Sequence, residues 1–298
     1  MNKSNLIKRL LTFFIGVPII LFVALQPFHA HIALHVFICL MCGIGAAELY
    51  AMFSGKGPLH RKGFVVSMTV AIPLAAALYA VVPTFTGGRN LPGITGPEFI
   101  TYTFIVAVLI ILAAEVFTAK TFEHSLVRIA SSSFIVLYTG FLLTFLSRMT
   151  YLKNNGIDVS SQTIAIFLLM VFLCDSFAWF FGILFGKNNR GIVKASPNKS
   201  IVGFIGGVAG SIVAGILGWK FFPEIFGGTV RKAVILAVFT AFASIIGDLA
   251  ESVFKRSSGV KDSGRVVPGR GGVLDTIDSI LMAGPVFYFL LLLLYNPK

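Results

Sequence analysis

Acidic residues are scarce in this chain, twelve in 298, and several sit where the sequence around them is apolar. Glu48, Glu115, Asp175, Asp248 and Glu251 all fall inside long hydrophobic runs. A carboxylate in such surroundings costs several kcal/mol, roughly 2.5–3.5 on membrane-insertion scales, unless a cavity, a cation or a partner receives it. Asp248 and Glu251 are spaced i, i+3, which places them on one helix face, and Lys255 continues that face one turn on. Asp275 and Asp278 repeat the spacing at the entrance to the last run. Four oxygen donors in two such pairs suit a hard cation, Mg2+ above all, which keeps some waters and takes substrate phosphates into its shell. The polar segment between the pairs carries Lys255, Arg256, Lys261, Arg265 and Arg270, with Gly259, Gly264, Gly269, Gly271 and Gly272. Phosphate chemistry needs such cations to offset charge, and glycines that let backbone N–H groups come close. Asp175 lies in the middle of its run beside Cys174, Ser176, Trp179 and Phe180. A second polar loop, 187–200, ends in Ser196–Pro197–Asn198–Lys199–Ser200, a turn able to present Lys199 and a helix N-terminus to an anion. Glu48 and Glu115 sit near the ends of their runs, where a structural pair with Arg or Lys serves as well as a functional role.

The elements that must position these groups follow from composition. Hydrophobic residues make up 56% of the chain, charged residues 12%, and mean hydropathy is +0.91. A soluble domain carries about 25% charged residues. This excludes an ordinary soluble enzyme, a disordered chain and a secreted disulfide scaffold. Crossing the hydrocarbon core takes about 20 apolar residues as helix. Nine such runs are expected, at about 10–25, 30–53, 64–83, 99–119, 127–147, 162–186, 201–222, 233–254 and 277–295. They are continuously apolar rather than alternating, which argues against a β-barrel. Fold class is therefore all-α, a polytopic membrane protein. The expected division is residues 1–160, about five spans for packing or lipid entry, and residues 161–298, a catalytic region with cytoplasmic loops 187–200 and 255–276.

Lys3, Lys8 and Arg9 precede the first run, and no small-residue cleavage site follows it convincingly, so it reads as a retained span. Of the loop cations, seventeen fall on one side of the nine spans and six on the other. The bias places the N-terminus in the cytoplasm. The net charge of +12 is then a topology signal, and because it is scattered over loops, nucleic acid is not an expected partner. The run Gly203–Gly210 has small-xxx-small spacings that fit close helix packing better than a phosphate loop. Cys39 and Cys42 lack the further ligands a zinc site needs.

The residues also carry a longer pattern. Ser252–Val253–Phe254–Lys255–Arg256 is followed by Lys261–Asp262–Ser263–Gly264, then by Pro268–Gly269–Arg270–Gly271–Gly272–Val273–Leu274–Asp275 and Asp278. This closely resembles the signature of the bacterial phosphatidate cytidylyltransferases, the CDP-diacylglycerol synthases: S-x-x-K-R, four residues, K-D-x-G, then P-G-H-G-G-x-x-D-R-x-D. Gly247–Asp248, Asp175 with its aromatic neighbours, Phe185–Gly186–Lys187 and Ser196–Pro197–Asn198–Lys199 also match. The resemblance implies an integral enzyme of the bacterial inner membrane, its active site facing the cytoplasm, with a homodimer suggested. In it phosphatidate attacks the α-phosphorus of CTP, giving CDP-diacylglycerol and pyrophosphate. It implies Asp248 and Asp275 as ligands of Mg2+, with a second cation compatible. It further implies Asp248, Lys255, Lys261, Asp262, Asp275 and Asp278 as catalytic. Asp175, Ser196, Lys199, Arg256, Arg265, Arg270, Gly271 and Gly272 would bind substrate and nucleotide. The chain departs from the family pattern at three positions: Arg270 replaces histidine, Thr276 replaces arginine, and Val202 replaces glutamate. Two other readings stand beside this one. One is a sibling that joins phosphatidate to another nucleotide donor, such as a nucleoside-diphosphate sugar. The other is a non-catalytic lipid-binding protein or transporter.

Overall fold

A computed structural model describes residues 16–88, 93–269 and 271–296 of the chain. Within them, eight helices are long and apolar enough to cross a membrane. These fall on eight of the nine expected runs. Of the remaining run, about 10–25, residues 10–15 lie outside the described residues, and the described part holds the short helix α1 (Val17–Leu25). The spanning elements begin with α2 (Phe28–Ser54), α3 (Lys62–Thr86) and α4 (Gly96–Thr118). Next, α5 (Ser125–Ile135) runs through a π-helical stretch, Val136–Phe141, toward α6 (Thr144–Met149). After these come α7 (Ser160–Phe185), α8 (Ile201–Phe221), the short α9 (Pro223–Phe226), α10 (Val230–Ser258) and α11 (Leu274–Tyr295). Between α6 and α7 a small antiparallel hairpin pairs β1 (Lys153–Asn154) with β2 (Ile157–Asp158). Its turn residues Asn155 and Gly156 have φ of 50° and 83°, the left-handed backbone that a two-residue Asn-Gly turn requires.

The chain divides into two compact units. The first holds Met1–Tyr151 together with Ser257–Thr276, so the polar segment before α11 groups with the N-terminal helices. Its core gathers Ile72, Ala76, Ile100, Ala107, Ile111 and Val136, with Phe104 and Phe141 stacked at 4.4 Å against it. Helix α4 starts at a capping box: Glu98 N–H donates to Thr95 Oγ1 at 3.4 Å, and Thr95 N–H donates to Glu98 Oε2 at 2.7 Å.

The second unit holds Leu152–Arg256 and Ile277–Lys298. Here the glycine run of α8 lies directly on α7. A Cβ on Gly207 would stand 3.0 Å from the Cys174 carbonyl oxygen, and one on Gly210 would strike the Leu173 carbonyl. Only glycine allows the two backbones this close, as the small-residue spacing predicts. Helix α10 meets α11 in the same way, with the Asp278 carbonyl in the space that a side chain at Gly247 would occupy.

Candidate active site

In the first unit the signature segment folds around two carboxylates. Asp275 Oδ2 accepts from Ser263 N–H at 2.8 Å, from Ser263 Oγ at 2.9 Å and from Gly272 N–H at 2.8 Å. Glu48, far away in sequence on α2, accepts from Val273 N–H at 3.0 Å through Oε1. Its Oε2 accepts from Leu274 N–H at 2.8 Å and lies 3.0 Å from Ser263 Oγ, whose one hydrogen it shares in turn with Asp275. Val267 and Gly271 close the loop on itself with reciprocal backbone bonds of 2.8 and 3.0 Å. This geometry accounts for the glycines. Gly271 has φ +116°, and a Cβ there would lie 2.5 Å from Asp275 Oδ2. A Cβ on Gly272 would lie 2.5 Å from Glu48 Oε2. Lys261, Asp262 and Arg265 are exposed on the same segment. Thr276 Oγ1 donates back to the Gly272 carbonyl at 3.2 Å. Arg270 lies outside the described residues.

The second unit gathers a different group. Lys199 pairs with Asp248, and Lys255 with Glu251 one turn away on α10. Glu251 is fully buried, whereas the side chains of Lys199 and Asp248 are 24% and 36% exposed. Asp278 is buried on α11, accepts from Ser279 N–H at 2.6 Å, and lies within electrostatic reach of Asp248, Glu251 and Asp175. Asp175 is exposed at the surface of its unit, with Ser279 Oγ donating to it at 3.4 Å. Ser196 shapes the turn that delivers Lys199, its carbonyl accepting Lys199 N–H at 3.1 Å. The loop is tied down where Arg256 Nε donates to the Ala195 carbonyl at 3.3 Å. The first-turn donors of α8 are already used, Gly203 N–H by Ser200 Oγ at 3.1 Å and Val202 N–H by Asn189 Oδ1 at 3.5 Å. What the turn offers an anion is therefore the Lys199 ammonium rather than the helix end.

Four carboxyl groups stand against two ammonium groups in this cluster, which makes it rich in acids. Its donors are all oxygen. Both properties fit a divalent hard cation. No three His, Cys, Asp or Glu among the described residues group closely enough to hold a metal by themselves.

A further cluster at the ends of α4 and α5 gives Glu115 its partners. Arg128 Nε and Nη2 reach the Glu115 carboxylate at 2.9–3.0 Å. His60 Nε2 lies 3.0 Å from Glu115 Oε2, and its Nδ1 lies 2.9 Å from Ser132 Oγ. Ser132 is fully buried, so this is a structural tie rather than a nucleophile with its base. Neither this tie nor the reach of Glu48 to the signature loop is announced by local sequence. The one available signal is that an acid in an apolar run needs a partner somewhere.

Membrane-spanning helices that carry such acids and lysines, with a tight glycine loop at a helix entrance, define a multi-pass integral membrane protein. Comparison with known proteins sharpens this class. The model of the cytidylyltransferase family matches residues 7–294. A phosphatidate cytidylyltransferase of Staphylococcus haemolyticus is 30% identical over 246 residues, 83% of this chain and 88% of that one. One from Bacillus subtilis is 28% identical over 260 residues, 86% and 89% of the two chains. One from Haemophilus influenzae is 39% identical over 162 residues, a stretch that spans about half, 54%, of each chain. The chain belongs to the cytidylyltransferase family, and it is an enzyme that transfers nucleotidyl groups.

Proposed function

We propose that this protein makes CDP-diacylglycerol from phosphatidate and CTP. A phosphatidate oxygen attacks the α-phosphorus of CTP, the bond from that phosphorus to the α–β bridging oxygen breaks, and pyrophosphate leaves. The observation that carries the reading is the pairing of Lys199, from the Ser196–Pro197–Asn198–Lys199 turn, with Asp248 of α10. Both residues belong to stretches that match the family pattern. Their partly exposed pair leaves a cation and an acid available to incoming phosphate. Lys199 would exchange its carboxylate partner for a phosphate oxygen, and Arg256 and Arg265 would add charge for the nucleotide. Asp248 in the second unit and Asp275 in the first are each candidates to hold Mg2+. When bound, Mg2+ would neutralise phosphate oxygens and lower the repulsion between two anionic substrates. Asp175, exposed in the second unit with Asp248, would add a further oxygen donor. Alternation of the spans puts loops 186–200 and 259–273 on the lysine- and arginine-rich side, which supports a bacterial inner-membrane protein with its site facing the cytoplasm. Assembly as a homodimer is part of the same proposal.

The differences at Val202, Arg270 and Thr276 favour a second reading, in which another nucleotide donor replaces CTP. Both are tested by incubating the purified protein with phosphatidate, Mg2+ and a panel of labelled nucleotides. A lipid-soluble cytidine product formed with CTP supports the first. A product formed only with another donor overturns it in favour of the second.

A further inference from the structure

We propose that Glu48 is a positioning residue for the reaction, holding the signature loop so that Asp275 keeps one orientation. The inference deepens the function proposed above and rests on it for the role of Asp275.

The first N–H groups of a helix have no partner within the helix and are usually met by a nearby Ser, Thr, Asp or Asn. The residues before α11 are Gly271, Gly272 and Val273, and none has such a side chain. Glu48 of α2, across 225 and 226 positions of chain, meets the N–H groups of Val273 and Leu274, and Ser263 Oγ accepts the next one, Asp275 N–H, at 3.3 Å. Glu48 is buried at 8% exposure, in keeping with a carboxylate that meets two backbone donors of one loop and lies beside the Ser263 hydroxyl. Its oxygens fill the space beside Gly264 and Gly272, so the loop is wrapped closely around it.

Ser263 ties the two acids together. Its hydroxyl lies 3.0 Å from Glu48 Oε2 and 2.9 Å from Asp275 Oδ2, and a hydroxyl has one hydrogen to give. A change of Asp275 partner therefore turns that hydrogen toward Glu48. Glu48 thus fixes the donors that fix Asp275, without itself touching substrate.

The test compares the purified wild-type protein with Glu48→Gln, Glu48→Ala and Ser263→Ala. Amide exchange across residues 262–275 should rise about tenfold or more in Glu48→Ala, the factor for losing one hydrogen bond to a charged acceptor, while α3 and α7 exchange as before. The Mg2+ concentration for half-maximal turnover should rise by a similar factor, about tenfold, in Glu48→Gln and Ser263→Ala. A merely structural role would lower the amount of active enzyme without moving that requirement. Unchanged exchange in Glu48→Ala, or an unchanged Mg2+ requirement in both other variants, overturns the proposal. If Glu48→Ala does not fold, Glu48→Gln and Ser263→Ala carry both measurements. Raised exchange beside a wild type that makes no cytidine lipid would instead defeat the proposed reaction and leave Glu48 as the loop's anchor.

Discussion

Asp248 and Glu251 sit one turn apart on the same helix, yet their environments assign them different work. The Lys199–Asp248 pair is partly exposed. Such pairs contribute about 0–1 kcal/mol to stability. Asp248→Asn and Lys199→Met should therefore leave the thermal midpoint in detergent nearly unchanged while turnover drops about a hundredfold or more, a loss typical of removing charge stabilisation at a reacting phosphate. A variant with near wild-type rate would remove its residue from the site. The Lys255–Glu251 pair is buried, with exposures of 13% and 0%. Lys255→Met strands a buried carboxylate and should cost about 3–5 kcal/mol of stability, read as a large fall in midpoint. Sequence alone singled out Asp248, Asp275 and Asp278 as candidates, because acids are few and their i, i+3 spacing repeats. It left Glu48 and Glu115 undivided between structure and function. Their partners, Ser263, Val273 and Leu274 for one and Arg128 and His60 for the other, are contacts between separate elements that no local pattern encodes.

At the scale of elements, the spans were legible because charge is so sparse that each polar interruption marks a loop. Expected and observed ends agree within a few residues from α2 to α11. The π-helical stretch Val136–Phe141 was not legible, since it shares the apolar composition of the helix around it. The α8 glycines were readable as a packing face, and Gly210→Val should show it by forcing α8 off the Leu173 carbonyl. Overpacking of this kind costs about 1–3 kcal/mol, measurable as a lowered midpoint without any change in Mg2+ requirement. The tie among His60, Glu115, Arg128, Ser125 and Ser132 joins the α2–α3 loop to α4 and α5. Burial lowers the His60 pKa below its ordinary value near 6.5, outweighing the attraction of Glu115, and Arg128 adds to the lowering. The folded protein therefore binds fewer protons here than the unfolded chain as pH falls below about 6.5. Stability from this residue is present above that pH and is lost on acidification toward the folded pKa. The midpoint should fall between pH 7 and pH 5.5, and His60→Gln should flatten that slope. An unchanged slope would place the acid sensitivity elsewhere.

For the whole molecule, hydropathy gave the spans, the bias of seventeen loop cations to six gave an expected orientation, and the signature gave family. What none of these gave is the grouping of Ser257–Thr276 with the N-terminal helices, to which Glu48 of α2 joins it by hydrogen bonds. Cysteine labelling from either side of the membrane checks the orientation: positions in loops 186–200 and 259–273 should react only from the cytoplasmic side. The central claim, that acids and lysines in an apolar bundle join a lipid phosphate to a nucleotide, is tested most directly by one reaction. Purified protein in detergent receives phosphatidate, Mg2+ and CTP labelled at the α-phosphate. The account predicts label in a chloroform-soluble product, abolished by Asp248→Asn. Label confined to the aqueous phase, with a known phosphatidate cytidylyltransferase active beside it, would contradict the account.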